Sequence, residues 1–100
     1  MARYTLSRTA QKDIDRIWLF IARRTGSIET AERVLASLLE RIVLLAAHPK
    51  SGKRCEEIDA SGRCSILGNY LIYYREHRNR IHITHIFHGK RDQVKAWILS

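Results

Sequence analysis

The side chains of this sequence that can hold charge or move a proton gather towards its end. Arg63 opens a strand-like run. Arg75 closes the segment Gly68-Asn69-Tyr70-Leu71-Ile72-Tyr73-Tyr74-Arg75, and the run Ile83-Thr84-His85-Ile86-Phe87-His88-Gly89-Lys90-Arg91-Asp92 follows. Lys53-Arg54 lies upstream and Trp97-Ile98 downstream. Two kinds of work suit these types. Acid–base catalysis needs cations for the charge that builds and groups that exchange protons with the reacting atoms. Histidine can move a proton near neutral pH, which makes His85 and His88 the candidates beside Arg63 and Arg91. Recognition alone needs less: arginine forks that engage carboxylate or phosphate, and a large ring as an anchor. Arg54, Arg63, Arg75, His88, Arg91, Trp97 and Ile98 are the candidates for that role. Structural roles compete for the same residues. Arg63 can pair with Glu56, Glu57 or Asp59, Arg75 can close a hairpin, and His88 can be a hydrogen-bonded strand end.

Any of these roles requires a scaffold, and 100 residues make one domain with one modest core. The net charge is +8, from 18 Lys+Arg against 10 Asp+Glu. Residues 1–47 carry 8 basic and 5 acidic groups, and residues 48–100 carry 10 and 5, so the whole domain is cationic rather than one tail. An anionic partner follows, either nucleic acid or an acidic protein segment. Cys55 and Cys64 match no zinc spacing and read as two reduced structural thiols. No metal or cofactor is expected. The apolar runs Ile17–Ala22 and Ile42–Ala47 fall far short of the roughly 20 residues of a membrane span. With no apolar leader at the N-terminus, a cytoplasmic location is expected.

Hydrophobic spacing places the elements. Arg3–Leu6 reads as a short extended opening, and Ser7 as a helix N-cap. Ala10, Ile14, Ile17, Trp18 and Ile21 recur at helical spacing until Thr25-Gly26, where glycine suits a left-handed end. A second helix starts at Ser27 or Thr30. It carries Ala31, Val34, Leu35, Leu38, Ile42 and Leu45 on its stripe, widened by Leu39, Val43 and Leu44, and stops at His48-Pro49. Lys50–Gly62 reads as a loop. Cys64–Leu67, Tyr70–Glu76 and Ile81–His88 read as strands joined at Gly68-Asn69 and at His77–Arg80. Asp92–Leu99 can form a last short helix. The expected architecture is α+β, in the order β-α-α-β-β-β: an antiparallel sheet packed on one face by an N-terminal helix hairpin.

Nearly the full length resembles the ParE branch of the RelE/ParE toxin superfamily. The resemblance rests on Tyr4-Thr5-Leu6-Ser7, the Ile14-x-x-Ile17-Trp18-x-x-Ile21-Ala22 helix, His48-Pro49, Gly52-Lys53-Arg54, Arg63 and the two C-terminal runs quoted above. It implies a toxin of a bacterial toxin–antitoxin pair, held by a cognate acidic antitoxin. In the ParE branch the implied action is inhibition of DNA gyrase by binding. In the RelE branch it is cleavage of mRNA on the ribosome. The ribonuclease branch uses a tyrosine or a His/Glu pair near its C-terminus for proton transfer. Here Trp97 occupies the tyrosine's place, and an indole N–H only donates. The His-Gly-x-Arg-Asp ending is that of the gyrase-inhibiting branch. The expected function is therefore gyrase inhibition without catalysis, with the RelE-type nuclease as alternative.

A third class is a basic nucleic-acid-binding module, to which the charge and the tyrosine-rich Tyr70–Tyr74 run conform. No helix-turn-helix, zinc or RNP-like pattern accompanies them, so direct nucleic-acid binding is not expected to be the primary role.

Overall fold

A computed structural model describes residues 3–55 and 61–89. The chain runs through β1 (Tyr4–Leu6), α1 (Arg8–Thr25), α2 (Ile28–Ala47), a 3-10 turn (Pro49–Ser51), β2 (Lys53–Arg54), β3 (Gly62–Leu67), β4 (Tyr70–His77) and β5 (Arg80–His88). The sheet order is β1-β5-β4-β3-β2. Strands β2 to β5 pair antiparallel, and β1 lies parallel to β5 with Tyr4 opposite Ile81.

The expected α+β layout of a helix hairpin on one sheet face is present, with two additions. Lys53–Arg54, read as loop, pairs with β3 as a fifth strand, and the N-terminal strand makes the sheet mixed. The expected helix at Asp92–Leu99 lies outside the described residues.

Local chemistry explains the helix ends. The Ser7 hydroxyl accepts from the Ala10 N–H at 2.9 Å, and Gly26 ends α1 in the left-handed region at φ 69. The Ser27 hydroxyl accepts from the Thr30 N–H at 3.1 Å, and Pro49 follows the end of α2. In Gly68-Asn69 only Gly68 takes a positive φ, as in a type II′ turn. Arg78 and Asn79 both do, as in type I′.

The core lies between the helices and one sheet face. Ile17, Ile21, Leu38 and Ile42 meet Ile72, Tyr74, Ile81, Ile83 and Ile86. On β5 the inward residues are spaced 81, 83, 86 because a bulge interrupts the ladder: Tyr73 faces His85, Tyr74 faces Ile83, and Thr84 is left over. On the other edge of β5, Ser7 and α1 take up the backbone groups at and beyond the end of β1. The Ser7 N–H donates to the Ile83 carbonyl, the Ser7 hydroxyl to the Thr84 carbonyl, and the Ile86 N–H donates to the Asp13 carboxylate at 3.0 Å.

Ser7 is thus both a cap and a strap. Ser7→Ala is expected to lower stability by about 1–2 kcal/mol, more than a surface cap alone, as measured by urea unfolding. A loss under about 0.5 kcal/mol would contradict the double role.

Candidate functional site

Arg63 and Tyr74 are cross-strand neighbours on the helix side of the sheet. The Arg63 guanidinium donates from one nitrogen to the carbonyls of Lys50 at 3.2 Å and Gly52 at 2.8 Å. The Tyr74 hydroxyl donates to the Pro49 carbonyl at 2.7 Å and accepts from the Gly52 N–H at 3.0 Å. Together they clamp the 3-10 turn and deliver β2 to the sheet. Glycine is required at position 52 because a Cβ there would run into the Tyr74 hydroxyl and ring. Gly62 makes the same allowance for Tyr73 on the opposite face. Burial pushes the Tyr74 hydroxyl above its ordinary value, partly offset by the Gly52 N–H and the Arg63 charge. A hydroxyl therefore does lie beside Arg63, but it is 0% exposed, committed to backbone partners and harder to ionise than usual.

The other described candidates are spread out. Arg54 is exposed on β2 opposite Arg63, and the two line a hollow of about 140 Å³ with Ser61, Gly62 and Glu76. Arg75 is exposed on β4 opposite His82, on the face away from the helices. His85 is half-buried on that same face, stacked with Phe87 at 5.2 Å. His88 pairs with Tyr70 on the helix side, stacked on its ring at 4.8 Å and edge-on to Phe20 at 4.9 Å. So His85 and His88 occupy opposite faces. Arg63 stands four strand positions from His88, about 13 Å along the sheet. Arg63, His85 and His88 do not converge on one phosphate-sized point. Arg91, Trp97 and Ile98 lie outside the described residues.

A feature the sequence reading passed over stands on α1. Leu19 and Phe20 are 42% and 43% exposed, in a shallow hollow of about 430 Å³ also lined by Arg16, Arg23 and Arg24. Arg24 lies 5.8 Å from the Phe20 ring centre. The signal was available: Leu19-Phe20 falls off the Ile14, Ile17, Ile21 stripe and is bracketed by arginines. On α2, Val43 and Leu44 were assigned to the buried stripe but are 46% and 54% exposed.

These features define a small basic α+β domain: one covered sheet face, apolar side chains left open on its helices, and arginines around them. A family profile described as "ParE toxin of type II toxin-antitoxin system, parDE" matches residues 4–93. The chain is 33% identical over 88 residues to "Toxin ParE1" of Caulobacter vibrioides, covering 88% of this chain and 90% of that protein. It is 32% identical over 92 residues to "Toxin ParE1" of Mycobacterium tuberculosis, covering 91% and 93%. A solved structure, "Chromosomal ParDE TA system from P. aeruginosa", superposes with a TM-score of 0.76 at 21% identity, covering 90% of this chain and 98% of that one. The chain belongs to the ParE toxin family of type II toxin–antitoxin systems, within the RelE/ParE group. Among the described residues no helix is long and apolar enough to cross a membrane.

Proposed function

We propose that this ParE-family toxin acts by binding DNA gyrase and holding it with its DNA cleaved, and that a cognate ParD-type antitoxin neutralises it by covering the toxin surface. The observation that carries the non-catalytic reading is the dispersal of Arg63, His85 and His88. A phosphodiester cut requires cations and proton carriers around one phosphate. Here Arg63 is engaged with turn carbonyls, the two histidines lie on opposite sheet faces, and the hydroxyl beside Arg63 is sealed.

The antitoxin reading rests on family membership and on the α1 surface. An acidic segment that folds as it binds gains from the Arg16, Arg23 and Arg24 rim, while Leu19 and Phe20 supply the desolvated anchors. Charge then governs the encounter and the apolar anchors govern release.

The test is a supercoiling and DNA-cleavage assay with purified gyrase and purified toxin. Accumulation of cleaved DNA, reversed by antitoxin, is the expected result. Gyrase left untouched while ribosome-bound mRNA is cut at near-stoichiometric doses would overturn the proposal.

A further inference from the structure

We infer that the corner formed by β1 and the β4–β5 turn is a nucleic-acid backbone site, separate from the α1 surface and from the Arg63 clamp. Arg3, Tyr4, Thr5, His77, Arg80, Ile81 and His82 line an open hollow of about 590 Å³ there. Strand alternation sends Thr5, Arg75, His77, Arg80 and His82 to the face that no helix covers, while Glu76, opposite the buried Ile81, points the other way. Among the described residues the lining thus holds two arginines, two histidines and no carboxylate. Arg78 adds a further cation at the turn itself.

The donors are ordered along the strands. Arg80 and His82 stand two residues apart on β5, about 6.8 Å, on the order of the separation of successive phosphates in an extended strand. Thr5 Oγ1 lies 2.6 Å from His82 Nδ1 and fixes the imidazole ring. When that hydroxyl donates, Nε2 carries the hydrogen and presents a donor, the tautomer that an anion selects. β1 is itself held by the parallel register to β5, so the donors sit on strands rather than on a loop.

The chemistry of the corner separates a polyanion from a protein partner. Stable protein capture needs buried apolar or aromatic anchors. Among the described residues the exposed large apolar side chains Leu19, Phe20, Ile28, Val43 and Leu44 are on the helices and Ile66 is on β3, all away from this corner, where Tyr4 alone is of that kind, 37% exposed and turned with Ile81 towards the helix side. Phosphodiester binding asks for what is present: arginine charge and imidazole N–H donors set along the strands.

The experiment measures anisotropy of a labelled single-stranded oligonucleotide against salt, with neither gyrase nor antitoxin present. Failure here leaves the gyrase reading intact, and the reverse also holds. The double variant Arg3→Gln/Arg80→Gln is compared with Lys12→Gln/Arg33→Gln, which removes the same charge from the helices. The corner variant should bind about tenfold more weakly, and its log–log salt slope should fall by about 1.4, two phosphate contacts at about 0.7 each. The helix variant should change less than about twofold. In the unsubstituted protein labelled with 15N, titration should shift the amides of residues 3–5 and 77–82, a readout independent of how the variants fold. Equal losses in both variants, no loss in the corner variant, amide shifts elsewhere, or displacement by poly-glutamate as effective as by unlabelled DNA would each overturn the inference.

Discussion

Exchanging Gly52 for alanine will destabilise the protein by about 2–4 kcal/mol, a large share of the stability of a domain this size. The new methyl meets the Tyr74 hydroxyl and ring, and Tyr74 cannot retreat because it is 0% exposed within the core cluster. Either the turn at Pro49–Ser51 lifts away, breaking the Tyr74 bonds to Pro49 and Gly52 and the Arg63 bonds to Lys50 and Gly52, or the ring leaves its packing. Tyr74→Phe alone should cost about 1–3 kcal/mol, because the Gly52 N–H and Pro49 carbonyl lose their shared partner. The two changes act on one contact, so alanine at 52 should be cheaper in the Tyr74→Phe background. Urea unfolding of the four proteins measures this. Strict additivity would mean that the hydroxyl and the glycine do not share a site.

Phe20→Ala should weaken antitoxin capture by about 2 kcal/mol or more, some 30-fold, chiefly through faster dissociation. At 43% exposure Phe20 contributes modestly to the fold, through the edge of the His88 ring and the overlying Arg24. Removing Arg16 or Arg23 should instead slow association and flatten its salt dependence. Stopped-flow and surface-binding kinetics with the cognate antitoxin separate the two. An unchanged dissociation rate in Phe20→Ala would place the antitoxin elsewhere.

The legible parts of this fold are those written in local chemistry. Ser7, Ser27, Gly26 and His48-Pro49 mark helix ends because caps and breakers act within one turn of chain. Gly68-Asn69 marked its hairpin for the same reason. The pairing of Tyr4–Leu6 with β5 has no local signal, since it joins residues 77 apart in sequence. Lys53–Arg54 was passed over because two charged residues carry no alternation, and their place in the sheet comes from the Arg63–Tyr74 clamp. The Thr84 bulge is visible only afterwards, in the 81, 83, 86 spacing. Of the candidate site, the sequence identified the charged types but not their orientation. Three residues apart on one strand, His85 and His88 must face opposite ways; what the run does not say is which of them faces the helices, because the Thr84 bulge reverses the phase. Val43 and Leu44 were read as core because periodicity counts apolar residues without knowing how wide a face the sheet covers.

The attachment of α1 to β5 also constrains the order of assembly during synthesis. Ser7 and Asp13 hold backbone groups of Ile83, Thr84 and Ile86, and among the described residues β1 has β5 as its one neighbour in the sheet. A nascent chain that has emerged only as far as β4 can wind both helices and lay them on each other, but it lacks the strand to which Ser7, Asp13 and β1 fasten, and closing so long a loop comes late and slowly. The described fold therefore is not complete until β5 is made. Through most of its translation a newborn copy carries its amphipathic helices without the sheet face they cover.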